Sequence, residues 1–276
     1  MPMSRRQFGA VLGVAALGAV AGGASWQLAQ GWATAPGSPS PGGSVESGTA
    51  RTTAKSAVTE RASLVGHGAR VLFQGDSVTD AGRDRAVLKP NSRAGLGRGY
   101  AWMAASAYLT SQPAQELAFF NRGVSGNTVP DLQRRWDAET VALAPDVVSI
   151  LIGVNDYWNR HRVRGFKGSP DTYHADLVKL VATTVGALPG AAVVICEPHL
   201  LLAGPVTPAW QRDFDGYRQA AADVALAHEM RFVGFQSALE AGLELAPAAF
   251  WAHDGIHPTA EGARLMAREW VRVVGA

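Results

Sequence analysis

The sequence has a single cysteine, few charged residues and no long run of one charge. Cys196 is the only cysteine among 276 residues, so the chain can form neither an internal disulfide nor a thiolate cluster for a metal. Charged residues make up 17% of the chain and do not interleave with aromatic residues, which excludes a typical nucleic-acid-binding surface. Cys196 ends the apolar run AAVVIC, which predicts a buried, inert thiol.

A strongly apolar segment long enough to span a membrane, which requires roughly 20 residues, is also missing. The N-terminus instead resembles a twin-arginine export signal, because Arg5 and Arg6 precede Phe8 and a mildly apolar stretch over residues 8–24. We therefore expect residues 1–35 to engage the twin-arginine export machinery. The predicted product is secreted or extracytoplasmic and has no stable membrane insertion after signal removal. An uncleaved N-terminal anchor is the alternative.

The formal net charge of +2 comes from this leader. Residues 1–35 contain Arg5 and Arg6 and no acidic residue, so the remainder has 25 − 2 = 23 basic residues against 23 acidic ones. Residues 36–62 are rich in Pro, Gly, Ser and Thr, which predicts a flexible linker that cannot bury enough apolar surface to fold. The folded domain is predicted over residues 63–276.

Within this domain, apolar runs alternate with helical patterns. Strands are predicted over residues 70–74, 117–121, 146–152, 192–196 and 231–234. Helices are predicted over residues 99–111, 130–142, 170–187, 208–228 and 257–274, with Pro258 at the first position of the last helix. Such alternation with continuous apolar strands indicates an α/β fold whose parallel sheet is covered by helices on both faces. Ligands bind at the carboxyl ends of the strands in such sheets.

Small and polar residues follow three of the predicted strands. Ser77 follows the first strand in FQGDS, Gly123 follows the second in NRGVSGN, and Asn155 follows the third in IGVND. Near the C-terminus, AHDGIHP contains Asp254 and His257. Because parallel strands all end at one edge, we expect these groups to meet.

These residue types are the components of acyl transfer. A serine hydroxyl such as that of Ser77 needs a base to take its proton, and the imidazole of His257 can be that base. Asp254, three residues earlier, can orient the ring. The backbone N–H groups of Ser77 and Gly123 and the side-chain amide of Asn155 can donate hydrogen bonds to an oxyanion.

Four segments, GDSVTD, NRGVSGNT, IGVND and DGIHP, occur in the order of the signature blocks of the SGNH, or GDSL-type, hydrolases, which the chain resembles from about residue 70 to 260. The resemblance implies a three-layer α/β/α sandwich, flavodoxin-like, with a five-stranded parallel sheet. It implies Ser77 as nucleophile, Asp254 and His257 as triad partners, and Gly123 and Asn155 in the oxyanion hole. The Gly-x-Ser-x-Gly elbow of the other large serine-hydrolase fold is absent.

Three longer segments resemble the small carbohydrate-directed members of this family, the acetylxylan esterases. They are GLGRGYAWM, NRGVSGNTVPDLQRRWDAETVALAPDVVSILIGVNDYW and WAHDGIHP. This similarity implies removal of acetyl groups from xylan or xylo-oligosaccharides without a metal or organic cofactor, and some relatives of this kind form homo-oligomers. Two alternatives stay open. One is an SGNH enzyme acting on lipids, thioesters or aryl esters, and the other is a non-catalytic carbohydrate-binding protein.

Several further residues have two interpretations. Asp76 and Asp156 adjoin Ser77 and Asn155, and we expect them to brace these residues rather than to act as the triad acid. Trp251 and Trp158 are candidates either for stacking on a sugar ring or for the core. The charges in residues 80–85, and the basic residues in 160–167, are either substrate contacts or solvated side chains. Five scattered histidines are predicted to be surface residues or buried residues with satisfied hydrogen bonds: His67, His161, His174, His199 and His228.

Overall fold

Five parallel strands form the centre of residues 62–275, the part of the chain that the computed structural model describes. The predicted export signal and the linker up to residue 61 lie outside the described residues. The strands are β1 (Arg70–Gly75), β2 (Ala118–Asn121), β3 (Val147–Leu151), β4 (Ala192–Cys196) and β5 (Arg231–Val233). They pair in the order β2-β1-β3-β4-β5 with every pair parallel. The predicted five-stranded parallel sheet is confirmed.

Ten α-helices connect the strands in the described residues. They are α1 (Ser77–Asp80), α2 (Arg93–Leu96), α3 (Tyr100–Ser111), α4 (Val129–Glu139), α5 (Val154–Arg162), α6 (Pro170–Ala187), α7 (Pro208–Ala227), α8 (Phe235–Gly242), α9 (Ala248–Trp251) and α10 (Ala260–Val274). Helix α10 contacts α3 and α8 in one layer, and α6 contacts α4 and α7 in a second. The sheet between them completes the three layers.

Alternate residues of each inner strand point to opposite layers, as the period of two in a β-strand requires. In β4, Val194 and Cys196 pack into the core on the α3 and α10 side, whereas Val193 and Ile195 pack into the core on the α6 and α7 side. Both faces of the sheet are therefore apolar, which explains the continuous hydrophobic strands. Burial raises the pKa of Cys196 to about 12, so its thiol is no nucleophile at neutral pH.

The strand order reverses between β1 and β3, which creates a topological switch point. In sheets of this kind, a crevice forms at the carboxyl ends of the two strands on either side of the reversal. Ser77 follows β1, and Asn155 follows β3 at the start of α5. The fold therefore brings two of the predicted site residues to this crevice.

Two predicted helix boundaries are wrong. The last helix begins at Ala260 rather than at His257, because the Thr259 hydroxyl accepts from the Gly262 N–H and caps it. Pro258 consequently lies before the helix, where it pairs with Ala252 in an antiparallel bridge. The predicted helix over residues 130–142 ends at Glu139, and a separate 3-10 turn follows over Val141–Leu143.

Candidate active site

Ser77 lies in a tight turn directly after β1. Asp76 caps α1, and its Oδ1 accepts a hydrogen bond from the Val78 N–H at 3.0 Å. Gly75 permits a close approach of two strands, since a Cβ at this position would lie 2.2 Å from the Leu151 carbonyl oxygen. Ser77 is the first residue of α1, so the helix offers its N–H no acceptor. The turn therefore presents the Ser77 hydroxyl and N–H together.

Ser77, His257 and Asp254 form one continuous chain of hydrogen bonds. The Ser77 Oγ lies 2.8 Å from the His257 Nε2, and the His257 Nδ1 lies 2.7 Å from the Asp254 Oδ2. The other carboxylate oxygen of Asp254 accepts from the backbone N–H groups of Ile256, at 3.0 Å, and His257, at 2.7 Å. Asp254 thus holds both the imidazole ring and the turn that carries it.

The same contacts set the charge states of the pair. Burial favours the neutral form of Asp254, but hydrogen bonds from the His257 ring and from two backbone N–H groups outweigh this effect and lower its pKa to about 2. The hydrogen bond to Asp254 raises the pKa of His257 above its ordinary value. At neutral pH, Asp254 is therefore an anion beside a strengthened base.

The segment after β4 that contains His199 and Leu201 forms hydrogen bonds with the turn containing Asp254. The Nε2 of His199 lies 3.0 Å from the carbonyl oxygen of Ile256, and the Leu201 N–H donates to the Gly255 carbonyl at 2.8 Å. His199 is buried. The sequence analysis missed this contact, and the signal for it was the position of His199 at the carboxyl end of a central strand.

Asn155 is fixed by the turn after β2. Its Nδ2 donates to the Asn127 carbonyl oxygen at 3.1 Å, and the Asn127 side chain accepts from the Arg135 Nε of α4 at 2.8 Å. One of the two Asn155 amide hydrogens is used in this way, and the other remains for a ligand. The predicted grouping of Ser77 and Asn155 around one crevice is consistent with these contacts.

Gly123 does not have the free N–H that the sequence analysis expected. Its N–H donates to the Asn121 Oδ1 at 2.8 Å, and its carbonyl accepts from the Arg83 Nε at 2.8 Å. A Cβ at this position would lie 2.4 Å from the backbone nitrogen of Asp80. The glycine is therefore required for close packing against α1, and the expectation of an oxyanion donor at Gly123 is corrected.

Gly126, three residues later in the same turn, has the free N–H that Gly123 lacks, which the sequence analysis did not anticipate. Its φ is +85°, and nothing lies within 4 Å of the position its Cβ would take. Its N–H has no acceptor among residues 62–275. The signal in the sequence was the Ser-Gly-Asn step of NRGVSGN, since glycine favours a positive φ in a tight turn.

Asp76 and Asp156 are buried carboxyls behind the site. The Oδ1 of Asp156 accepts from the Val129 N–H at the start of α4, whereas its Oδ2 has no partner in the described region. Burial raises the pKa of both carboxyls to about 7. Asp76 braces the Ser77 turn as expected. Asp156 joins α5 to α4, and so supports Asn155 through the helix that carries it.

The two candidate tryptophans differ in exposure. Trp251 is 7% exposed, and its Nε1 donates to the Ala246 carbonyl oxygen at 3.1 Å. It belongs to the core, one of the two interpretations that the sequence left open, and has no open ring face for a sugar. Trp158 is half-buried and packs edge-on against Trp210, with ring centroids 4.6 Å apart, and it remains a candidate.

The basic segment after Asn155 is partly helical. The segment over residues 160–167 begins inside α5, where Arg160 contacts Asp213 at 3.1 Å and Arg162 lies over the Trp158 ring. In residues 62–275, no group of three or more His, Cys, Asp or Glu side chains could hold a metal ion. No helix in the same residues is long and apolar enough to cross a membrane.

An open cavity of about 590 Å³ lies in front of Ser77 and His257. Residues 80–83 and Arg85 also line it, and the sequence analysis left the role of their charges open. A larger groove, of about 1100 Å³, lies against α3 and α10 and contains none of the predicted site residues. The cavity beside Ser77 is therefore the place where a substrate would meet the hydrogen-bonded chain.

Known proteins of one family are similar to this chain. Residues 73–265 match the model of the GDSL-like lipase/acylhydrolase family. The chain is 33% identical over 214 residues to an acetylxylan esterase from Geobacillus stearothermophilus, an alignment that covers 76% of this chain and 96% of the relative.

Solved structures are similar over the same region. A crystal structure of that acetylxylan esterase superimposes with a TM-score of 0.70 at 32% identity, covering 77% of this chain and 96% of the other. A protein from Parabacteroides merdae, described as a GDSL-like lipase, superimposes with a TM-score of 0.74 at 39% identity, covering 76% and 97%. The chain therefore belongs to the GDSL-like lipase/acylhydrolase family, the SGNH hydrolases, and is a carboxylic ester hydrolase.

Proposed function

We propose that the chain removes short acyl groups, chiefly acetyl, from carbohydrate such as acetylated xylan or xylo-oligosaccharides. The observation that carries the proposal is the hydrogen-bonded chain from the Ser77 Oγ through the His257 ring to Asp254, at 2.8 and 2.7 Å. Acyl transfer to a serine requires this order of groups. Solved structures of the Geobacillus esterase include catalytic mutants with a serine or a histidine replaced by alanine, which supports the same chemistry.

In the proposed first step, the Ser77 Oγ attacks the ester carbonyl while the His257 Nε2 takes its proton. The imidazolium that forms is stabilised by the Asp254 carboxylate. His257 then gives the proton to the departing sugar hydroxyl, which breaks the ester bond and leaves an acyl group on Ser77. Water, deprotonated by His257, releases the acid and restores the serine.

The negative oxygen of the tetrahedral intermediate needs donors aimed at it. We assign this task to the Ser77 N–H, the free amide hydrogen of Asn155 and the Gly126 N–H. Each of these groups has at least one hydrogen without an acceptor in the described residues. Loss of one such donor lowers kcat by roughly a hundred- to a thousandfold, so Asn155→Ala is expected to fall in this range.

Two experiments test the proposal. A fluorophosphonate probe should label the wild type covalently at Ser77 and leave Ser77→Ala unlabelled, whereas an unlabelled wild type would favour a carbohydrate-binding protein without activity. Acetate release should then be measured on acetylated xylan, chitin-type and pectin-type substrates. A wild type that is labelled by the probe but releases no acetate from any of them would refute the carbohydrate assignment.

The second candidate function is hydrolysis of lipid, thioester or aryl ester substrates. The open cavity of about 590 Å³ favours a short acyl group on a bulky alcohol over a long acyl chain that needs an enclosed tunnel. A series of 4-nitrophenyl esters from acetate to dodecanoate separates the two. Activity that peaks at acetate supports the first proposal, and a peak at eight or more carbons supports the second.

We also propose export by the twin-arginine route, supported by the Arg5-Arg6 pair and the mildly apolar stretch after it. Replacing both residues with lysine should retain the protein in the cytoplasm of a twin-arginine-competent bacterium, whereas the wild type is exported. Export that persists in the double variant, or in a strain lacking the pathway, would contradict this route.

A further inference from the structure

The cavity beside Ser77 has a basic rim. Arg83 and Arg85 line it, and the Arg98 Nη2 lies 2.8 Å from the position that a Cβ on Gly82, another lining residue, would take. Asp80 is the acidic side chain of this lining. Two arginines and one aspartate therefore line the proposed catalytic cavity, and a third arginine, Arg98, lies beside the lining residue Gly82.

The carboxylate of Asp80 already accepts hydrogen bonds from other groups of the protein. It is buried, and its Oδ2 accepts from the Arg85 Nη2 at 2.6 Å, from the Arg85 Nε at 3.2 Å and from the Ser125 N–H at 3.2 Å. The carboxylate of Asp80 thus pairs with the guanidinium of Arg85. It forms no salt bridge with Arg83 or Arg98.

Arg83 and Arg98 are cations without a bonded carboxylate in the described part of the chain. Arg83 is 8% exposed; its Nε donates to the Gly123 carbonyl, and its Nη1 is buried without a partner. Burial lowers the pKa of Arg83. Arg98 is exposed, and its guanidinium forms neither a hydrogen bond nor a salt bridge with residues 62–275. A buried cation with an unused donor is costly unless an anion or a polar ligand approaches it.

This excess of positive charge is local. Outside the leader, the chain has 23 basic and 23 acidic residues, so a general surplus of arginine does not explain the rim. The exposed carboxylate of Asp84, between Arg83 and Arg85, lies outside the cavity lining, and its Oδ1 accepts from the Ala86 N–H. The lining itself, with Arg83 and Arg85 against Asp80, has net positive charge, whereas Arg98 and Asp84 both lie outside the lining.

We propose that this rim is a subsite for a carboxylate carried by the substrate, with Arg98 as its principal donor. The guanidinium fork matches the two oxygens of a carboxylate. The substrate class is then an acylated saccharide that bears a uronic acid close to the ester. The proposal rests on the proposed function, because the acyl group would lie at Ser77 while the uronate contacts the rim.

The subsite acts on binding and on the rate of encounter. A positive rim attracts an anionic saccharide at low salt, and the attraction weakens when the Debye length shrinks from about 30 Å at 0.01 M to about 3 Å at 1 M ionic strength. A neutral saccharide does not gain from this field. The preference for an acidic substrate should therefore depend on salt.

The test compares acetylated xylo-oligosaccharides that carry or lack one glucuronic acid branch. At low salt, the wild type should show a kcat/KM ratio of acidic to neutral substrate of roughly three to five, as expected for exposed ion pairs. Arg98→Gln should lower this ratio by roughly threefold, and Arg98→Lys should lie in between. High salt should reduce the wild-type ratio towards one.

Arg272→Gln is the matched control, since it removes the same charge from the last turn of α10, roughly 18 Å along the helix from its first residue at 1.5 Å per residue. It should keep the wild-type ratio. A wild-type ratio of one at low salt, or equal ratios in Arg98→Gln and Arg272→Gln, would overturn the subsite.

A binding measurement separates this subsite from the proposed function. Calorimetry on Ser77→Ala should show tighter binding of deacetylated acidic xylo-oligosaccharide than of its neutral counterpart, and Arg98→Gln on that background should remove the difference. If the wild type hydrolyses neither ester, the proposed function fails, and calorimetry still decides the subsite. Equal affinities for the two saccharides would refute the subsite even in an active esterase.

Discussion

The His199 Nε2 lies 3.0 Å from the carbonyl oxygen of Ile256, the residue directly before His257. Because a carbonyl only accepts, the Nε2 must carry the proton, and the Nδ1 is left buried without a partner. Burial lowers the pKa of His199 to about 4, so the ring is neutral in the working range of an esterase. His199 is thus a fixed donor that positions the turn of Asp254 and His257.

Loss of this donor should impair turnover more than binding. His199→Leu leaves the Ile256 carbonyl unpaired in a buried place, which costs about 1–3 kcal/mol and shifts the turn. We expect kcat on an acetyl ester to fall roughly ten- to a hundredfold, since misplacement of a reacting group by about 1 Å has this effect, while KM changes little. The measurement is kcat and KM per active site titrated with a phosphonate.

His199→Gln is the control, because its side-chain amide can donate from nearly the same place, and it should restore part of kcat. If His199→Leu has a lower melting temperature but unchanged kcat per titrated site, His199 supports folding alone.

The pH dependence of kcat/KM should report the His257 base. The ring must be neutral to accept the Ser77 proton, and Asp254 raises its pKa above the ordinary value of 6.5. Activity should therefore fall as pH drops, with a midpoint above 6.5. Asp254→Asn removes the carboxylate and should move this midpoint to lower pH, while lowering kcat by a factor on the order of 10⁴. Profiles from pH 4.5 to 9 check both effects.

Asp76 also titrates near pH 7, so it needs its own control. Asp76→Asn keeps an oxygen that can accept from the Val78 N–H and removes the titrating proton. The fall of kcat/KM at low pH should persist in this variant. If this fall disappears in Asp76→Asn, and its midpoint is unchanged in Asp254→Asn, the titrating group is Asp76 instead.

The sequence was sufficient for the sheet and for the hydrogen-bonded chain, because both follow from local patterns. Continuous apolar runs define β1, β3 and β4, and the three-residue spacing from Asp254 to His257 allows the carboxylate to reach the ring within one turn. The structure has these elements within one or two residues of their predicted bounds. Ser77 meets His257 across 180 positions of sequence, which the order of parallel strands made predictable.

The sequence-based predictions fail where a side chain takes up a backbone N–H group, because the sequence does not show which side chain will do so. Whether the Gly123 N–H is free depends on the Asn121 side chain, which takes it at 2.8 Å, and a glycine in a motif does not reveal this. The start of α10 depends on the Thr259 hydroxyl, which caps the helix two residues after His257. The choice between core and sugar contact for Trp251, which the sequence left open, depends on the packing of α9, a helix of four residues with no periodic signal.

Gly123→Ala should damage the site through sterics. The new Cβ would lie 2.4 Å from the backbone nitrogen of Asp80 and 2.8 Å from the Thr79 carbonyl carbon, both in the helix that begins with Ser77. Because backbone atoms cannot move aside cheaply, we expect a loss of stability of about 1–3 kcal/mol and at least a tenfold loss of kcat. Urea unfolding and acetyl-ester kinetics measure the two effects.

Gly66→Ala is the matched change, since nothing lies within 4 Å of its Cβ position and Gly66 is exposed. It should behave as the wild type in both assays. Wild-type stability and turnover in Gly123→Ala would show that the turn after β2 can move away from α1, contrary to the packing seen here.

Asp156 should make the protein less stable as pH rises through the neutral range. Its folded pKa of about 7 exceeds its ordinary value of 3.8 because of burial, so the folded state holds a proton that the unfolded state releases. The stabilisation is complete below pH 4 and is lost as pH rises through 7, at roughly 1 kcal/mol per pH unit within that window. Asp156→Asn keeps an acceptor for the Val129 N–H and should flatten this slope.

The free energy of unfolding, from urea titrations at pH 4.5, 5.5, 6.5 and 7.5, gives the slopes directly. Asp76 shares the same shift, so Asp156→Asn should lose part of the downward slope and the Asp76→Asn/Asp156→Asn double variant more of it. In every variant the buried neutral His199, with a folded pKa of about 4, adds a rise in stability between pH 4 and 6.5 that opposes this loss. Asp84→Asn, at an exposed position, should follow the wild type. If the double variant and the wild type lose stability in parallel, the buried carboxyls are not the groups that titrate, and the unpartnered Oδ2 of Asp156 must be satisfied in solution.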